Sequence, residues 1–151
     1  IFKLKYILNL QLMGNNMTKV KRINFEDMQT AYTSNNFIII NTLDATNQNC
    51  LIKNTILPAK EVELLNSYLT TDREVNIIIY GVNHCDESIY NKYEQLNKLG
   101  FYNVYVYSGG LFEWLLLQEI YGKDEFPTTS ELLDILKYKG NPYFGIKLLK
   151  H

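Results

Sequence analysis

Short apolar runs alternate along the chain with segments whose apolar residues recur every three or four positions. Phe37-Ile38-Ile39-Ile40-Asn41 is a continuous, mostly β-branched run, the composition of a strand covered on both faces. Val75 to Tyr80 and Val104 to Tyr107 repeat that character. Between them lie helical patterns. Asn24 can cap a helix from Phe25 to about Tyr32, because Glu26 and Asp27 stand in its first turn, where the helix dipole favours anions. After an Asn- and Thr-rich loop and Pro58, Val62, Leu65 and Leu69 mark a second helix, with Leu64 and Tyr68 beside that stripe. Ile89, Tyr93, Leu96 and Leu99 mark a third that stops at Gly100. Gly109-Gly110 turns the chain into a fourth, Leu111 to Tyr121, and Thr128-x-x-Glu131 reads as a capping box opening a last helix to about Lys137. Short strands alternating with helices predict an α/β fold, a central parallel sheet with helices on both faces. Ligands of such folds sit beyond the carboxyl ends of the strands, which directs attention to the loop Gly81 to Ser88.

A chain of 151 residues with 46% hydrophobic and 21% charged residues has the make-up of one ordinary domain. No low-complexity run or linker divides it, and the three prolines are Pro58, Pro127 and Pro142. We divide it into an N-terminal extension (1–19), the domain proper (20–137) and a tail (138–151). Tyr143, Phe144, Ile146, Leu148 and Leu149 of the tail show no clear period. A formal charge of -1 lacks the basic excess that phosphate-backbone binding needs, so nucleic acid is not an expected partner. The only arginines are Arg22 and Arg73, which leaves little material for a bidentate oxyanion clamp. Two cysteines, Cys50 and Cys85, are too few for a disulfide framework, and a reducing, cytoplasmic setting is the expectation.

The sequence begins at Ile1, and its first residues read as a fragment edge or upstream translation. Ile1 to Met13 is apolar but interrupted by Lys3 and Lys5, and it falls short of the roughly 20 residues of a membrane-spanning helix. A start at Met13 would make Met13-Gly14-Asn15-Asn16-Met17-Thr18 a match to the N-myristoylation pattern at Gly14. Membrane attachment is expected only in that case.

From Val20 to about Pro127 the order of elements and several motifs resemble the rhodanese-like domain family. Ile23-Asn24-Phe25-Glu26-Asp27-Met28 is similar to that family's opening strand and short helix, and Phe37 to Leu43 to its first core strand. The Asp and Arg usual at that strand's end are here Asn41 and Leu43. Leu99-Gly100-Phe101-Tyr102-Asn103-Val104, then Ser108-Gly109-Gly110 and Trp114, resembles the family's sequence of Gly-Phe, strand, Gly-Gly and Trp. Trp114, with Leu111, Leu115 and Leu116 around it, reads as a core anchor.

The resemblance implies a nucleophilic cysteine directly after the central strand, on a loop whose amides converge on the sulfur and lower its pKa. Here Ile77-Ile78-Ile79-Tyr80 is followed by Gly81, which has no side chain. The nearest thiol is Cys85, in Gly81-Val82-Asn83-His84-Cys85-Asp86-Glu87-Ser88. Three readings follow. Cys85 is a displaced nucleophile with His84 as a neighbouring base or electrostatic partner, although Asp86 and Glu87 place like charge beside the thiolate. Alternatively, His84-Cys85 opens the phosphatase signature of related folds, but the arginine position holds Asn91, with Lys92 one residue off. Finally, Asp86 or Glu87 caps the helix that begins near Ser88, and Cys85 is an ordinary loop residue. Only the last fits every residue. His84, Cys85 and Asp86 are consecutive and His151 is terminal, so no metal set at familiar spacing forms and no cofactor is expected. The expectation is a catalytically inactive rhodanese-like domain that binds or regulates a protein partner. Its alternative is a sulfurtransferase acting through Cys85.

Overall fold

Three strands are apolar on both faces, so each must be covered twice, and the fold meets that demand with two helices on each side of one sheet. The computed structural model of the chain describes residues 19–145. Its strands are β1 (Arg22–Ile23), β2 (Phe37–Asn41), β3 (Asn76–Tyr80) and β4 (Val104–Tyr107), in the spatial order β1-β4-β3-β2. All neighbours are parallel; Ile77 of β3 stands opposite Ile38 on one side and Val104 on the other. The helices are α1 (Phe25–Thr33), α2 (Pro58–Thr71), α3 (Ser88–Leu99) and α4 (Gly110–Tyr121). The α/β architecture, parallel sheet and helices on both faces are as expected from the sequence. The extension 1–18, including Met13 and Gly14, and the tail residues Ile146, Leu148 and Leu149 lie outside the described residues.

Strand periodicity sorts the core. Ile39, Ile78, Tyr80 and Tyr107 face Met28 and Ala31 of α1 and Leu111, Trp114 and Leu115 of α4. Ile38, Ile40, Ile77, Ile79, Val104 and Val106 face Leu65 of α2 and Ile89, Tyr93 and Leu96 of α3. Right-handed crossovers explain the division: the chain moves across the sheet one way from β1 to β2 and the other way through β3 to β4, so the helices fall on opposite faces. The connections leaving the adjacent strands β3 and β4 therefore diverge, which opens a crevice at their carboxyl ends.

Local chemistry sets the helix ends. Asn24 and Asp27 form a reciprocal capping box at α1, with bonds of 3.0 and 3.1 Å. Gly100 ends α3 in the left-handed region at φ 100°. On α2 the buried face is not centred where the apolar spacing placed it: Val62 is exposed, while Glu61 is buried and pairs with Lys92 of α3. That ion pair joins two neighbouring helices and lets the stem of Lys92 cover apolar surface.

The expected last helix does not form. Thr128 pairs with Ile52 in an antiparallel bridge, the Thr129 amide donates to Leu51 O at 2.8 Å, and the Lys53 amide donates to Pro127 O at 3.1 Å. Glu131, which would close the capping box, pairs instead with Lys123 at 2.8 Å. Tertiary pairing with residues 51–53 outweighs the local cap, and only a 3-10 turn, Ile135–Tyr138, follows. Packing continues past residue 137, since Tyr138 is buried.

Trp114 is 0% exposed, stands edge-on to Tyr32, Tyr107 and Phe126, and donates its indole N–H to Pro127 O at 3.1 Å. Trp114→Ala removes this anchor and one bond to the 127–129 segment together. The expected loss is about 3–5 kcal/mol of unfolding free energy, measured by urea denaturation.

Candidate functional site

The crevice between β3 and β4 is filled by the loop Gly81 to Ser88. Two backbone bonds seat it on the start of α4: the Leu111 amide donates to Gly81 O and the Phe112 amide to Val82 O, both at 2.9 Å. Gly110, at φ +68°, is pressed against the loop, and a Cβ there would lie 2.7 Å from Gly81 O and 2.9 Å from Asn83 N. The Gly-Gly motif therefore serves close backbone approach at this site.

Within the loop the amides turn onto the loop's own acceptors. Val82 N–H donates to Asp86 Oδ2 at 2.9 Å and Ser88 N–H to Asp86 Oδ1 at 3.0 Å. The Ser88 hydroxyl also donates to Asp86 Oδ1, at 2.5 Å. Cys85 N–H donates to Asn83 Oδ1 at 2.9 Å and Asp86 N–H to Asn83 O at 3.1 Å. A Cβ at Gly81 would overlap the Asp86 carboxylate and lie 2.8 Å from its Cγ and 2.9 Å from Ile89 Cγ2. The side-chain space at position 81 is thus occupied by Asp86.

Cys85 is exposed. Its Sγ lies 3.2 Å from His84 Nε2, and no amide of the described residues donates to it. Gly140 rests above this pair: a Cβ on Gly140 would stand 3.1 Å from Cys85 Sγ and 3.3 Å from His84 Cε1. Asn83 Nδ2 ties the same segment down by donating to Tyr138 O at 2.9 Å. Beside the loop is a cleft of about 410 Å³, lined by Thr42, Asp44, Cys85, Asp86, Lys137 and Lys139 among others. Ser88 joins it to the end of β2 through a 2.7 Å bond to Thr42 Oγ1.

Of the residues singled out in sequence, Gly81, Val82, Asn83, Asp86 and Ser88 form one hydrogen-bonded unit, with His84 and Cys85 at its outer tip. Glu87 does not cap α3; the carboxylate that satisfies its first turn belongs to Asp86. Lys92 points to Glu61 on α2, away from any oxyanion seat. Arg22 donates to the Tyr90 hydroxyl at 3.3 Å and Arg73 to Leu69 O at 3.0 Å, so neither lines the cleft. Cys50 is buried, its thiol donating to Ser130 O at 3.4 Å. Among the described residues no group of three or more His, Cys, Asp or Glu could hold a metal ion, and no helix is long and apolar enough to cross a membrane.

Sequence reasoning overlooked Lys137, Lys139 and Gly140, which carry no motif and reach the loop only through the fold. It also overlooked Gln48. The buried Asn41 side chain exchanges two bonds with the Gln48 amide, at 2.8 and 3.1 Å, a neutral pair at the strand end.

At the neighbouring turn, burial raises the Glu113 carboxyl above the ordinary carboxylate range. Burial, and then the charge of Glu113, raise the Tyr107 phenol.

A parallel four-stranded sheet with this loop at the switch point defines an α/β domain of the rhodanese type. The family model described as the rhodanese-like domain matches residues 38–117, more than half of the chain, and the chain belongs to that family. In solved structures the fold is similar to the rhodanese-like domain of the Alr3790 protein from Anabaena sp., determined by NMR, at 20% identity and a TM-score of 0.54 over 88% of this chain and 96% of that one. A crystal structure of the Alr3790 protein matches at 20% identity and a TM-score of 0.52, covering 76% and 86% of the two chains. The single-domain sulfurtransferase RDL2 of Saccharomyces cerevisiae matches at 15% identity and a TM-score of 0.47, covering 70% and 97%. No curated protein matches the chain.

Gly81→Ala is expected to cost about 1–3 kcal/mol by overpacking against Asp86. Added to Asp86→Gly it should cost less, a coupling that a double-mutant cycle of denaturation midpoints reads directly. Gly110→Ala should cost more than Gly81→Ala, because backbone is in the way and the left-handed conformation strains any side chain.

The raised Glu113 carboxyl makes stability depend on pH. A carboxyl whose folded pKa lies above its unfolded one favours folding while protonated, and that contribution is lost as pH rises through the folded value. Thermal melts of wild type and Glu113→Gln from about pH 4 to 7 should show the wild type losing ground to the variant as pH rises. A constant difference would contradict this.

Proposed function

We propose that this member of the rhodanese-like family, a family related to sulfurtransferases, is catalytically inactive and serves as a protein-binding or regulatory module in the cytoplasm. One observation carries the reading. The position directly after the central strand holds Gly81, and the space its side chain would need is filled by the carboxylate of Asp86, with the Val82 and Ser88 amides engaged by it. A thiolate or persulfide is stabilised by amides pointing at sulfur, and here they point at an internal carboxylate. The loop and the segment over it form one continuous surface. Leu133, Leu136, Tyr143 and Phe144, in or just beyond that segment, are exposed large apolar side chains of the kind that enrich protein interfaces.

A second reading rests on the 3.2 Å contact between Cys85 Sγ and His84 Nε2. Deprotonated by His84, the Cys85 thiolate would take the outer sulfur of thiosulfate and release sulfite. Cyanide would then remove that sulfur as thiocyanate and restore the thiolate. Against it, the thiol receives no amide among the described residues, and Asp86 adjoins it.

Thiosulfate and cyanide, incubated with the purified protein and with Cys85→Ser, separate the two. No thiocyanate above the protein-free rate is expected from either. Turnover by the wild type that is absent from Cys85→Ser would overturn the module reading and install the sulfurtransferase one.

A further inference from the structure

We infer that Asp86 decides which ligands the loop admits: its carboxylate is an internal anion seated on the amides that an external oxyanion would need, and it excludes thiosulfate, sulfite and phosphate from the crevice. This deepens the preceding reading and rests on it, by naming the residue that keeps the loop closed and the ligand class it rejects.

Four observations converge on that role. Val82 and Ser88 lie at opposite ends of the loop, yet their amides bind the two oxygens of one carboxylate, Oδ2 and Oδ1, at 2.9 and 3.0 Å. The carboxylate is thereby bracketed as a bound anion would be. It also occupies the space into which a residue at position 81 would project, so the seat of a side chain and the seat of the internal anion are the same. The cleft beside it sets Lys137 and Lys139 against Asp44 and Asp86, two positive groups against two negative ones. Removing Asp86 leaves two against one, frees both amides and removes the like charge that an incoming anion meets. Neither arginine lines the cleft, so no stronger cation overrides the carboxylate.

The test is a titration with thiosulfate at constant ionic strength, following the amide resonances of Val82 and Ser88 in the full chain. Wild type, Asp86→Ala and Asp86→Gly are compared. The wild type should show no saturable shift. Both variants should saturate, at least about tenfold more tightly than any effect on the wild type. Asp86→Ala clears the carboxylate from the same seat and leaves the Val82 and Ser88 amides free while keeping a Cβ that restrains the backbone, so it decides the matter should Asp86→Gly fail to fold. Saturable binding by the wild type matching that of the variants would overturn the inference. So would folded variants that bind no thiosulfate. Thiocyanate formation by the wild type would instead count against the module reading, and the titration alone judges Asp86.

Discussion

The loop after β3 is fixed by its contact with the start of α4, where the Leu111 and Phe112 amides donate to the Gly81 and Val82 carbonyls. That contact exists because the connections of two adjacent parallel strands leave for opposite faces of the sheet, bringing the end of one and the beginning of the other together. Glycine at 110 follows from it, since any Cβ would meet loop backbone. With the carbonyl edge of the loop held from below, its amide edge must find acceptors above, and Asn83 and Asp86 supply them.

The same arrangement separates ancestry from present chemistry. Fold and family match place the chain among rhodanese-like domains. What the crevice can do is set by individual atoms, and here the Asp86 carboxylate fills the space beside Gly81 and accepts from the Val82 amide. Cys85 lies at the outer tip of the loop under Gly140, separated from the bracketed amides by the turn that Asn83 organises. The segment Ile135 to Asn141 is joined to that tip through the bond from Asn83 Nδ2 to Tyr138 O.

Much of this was legible in sequence. The isoleucine-rich runs read as doubly covered strands, Gly100 as a helix stop and Trp114 as a core anchor, because each depends on local conformational preference or plain apolar burial. The last helix failed for the converse reason. Thr128 and Glu131 have a cap's spacing, but pairing of residues 127–129 with 51–53 and of Glu131 with Lys123 captured both. The stripe on α2 was misread at Val62, because Glu61 is held inward by Lys92 from another helix, a partner no periodicity reveals.

Sequence by itself determined the class of fold and the glycine at position 81, since strand pattern and residue identity are properties of the chain alone. Only tertiary structure decided what fills the space beside that glycine. The Asp86 carboxylate could have capped α3 outwardly, stayed solvated or turned inward, and these differ in sequence by nothing. The inward turn was selected by the geometry of the crevice, which presents the Val82 and Ser88 amides to one carboxylate.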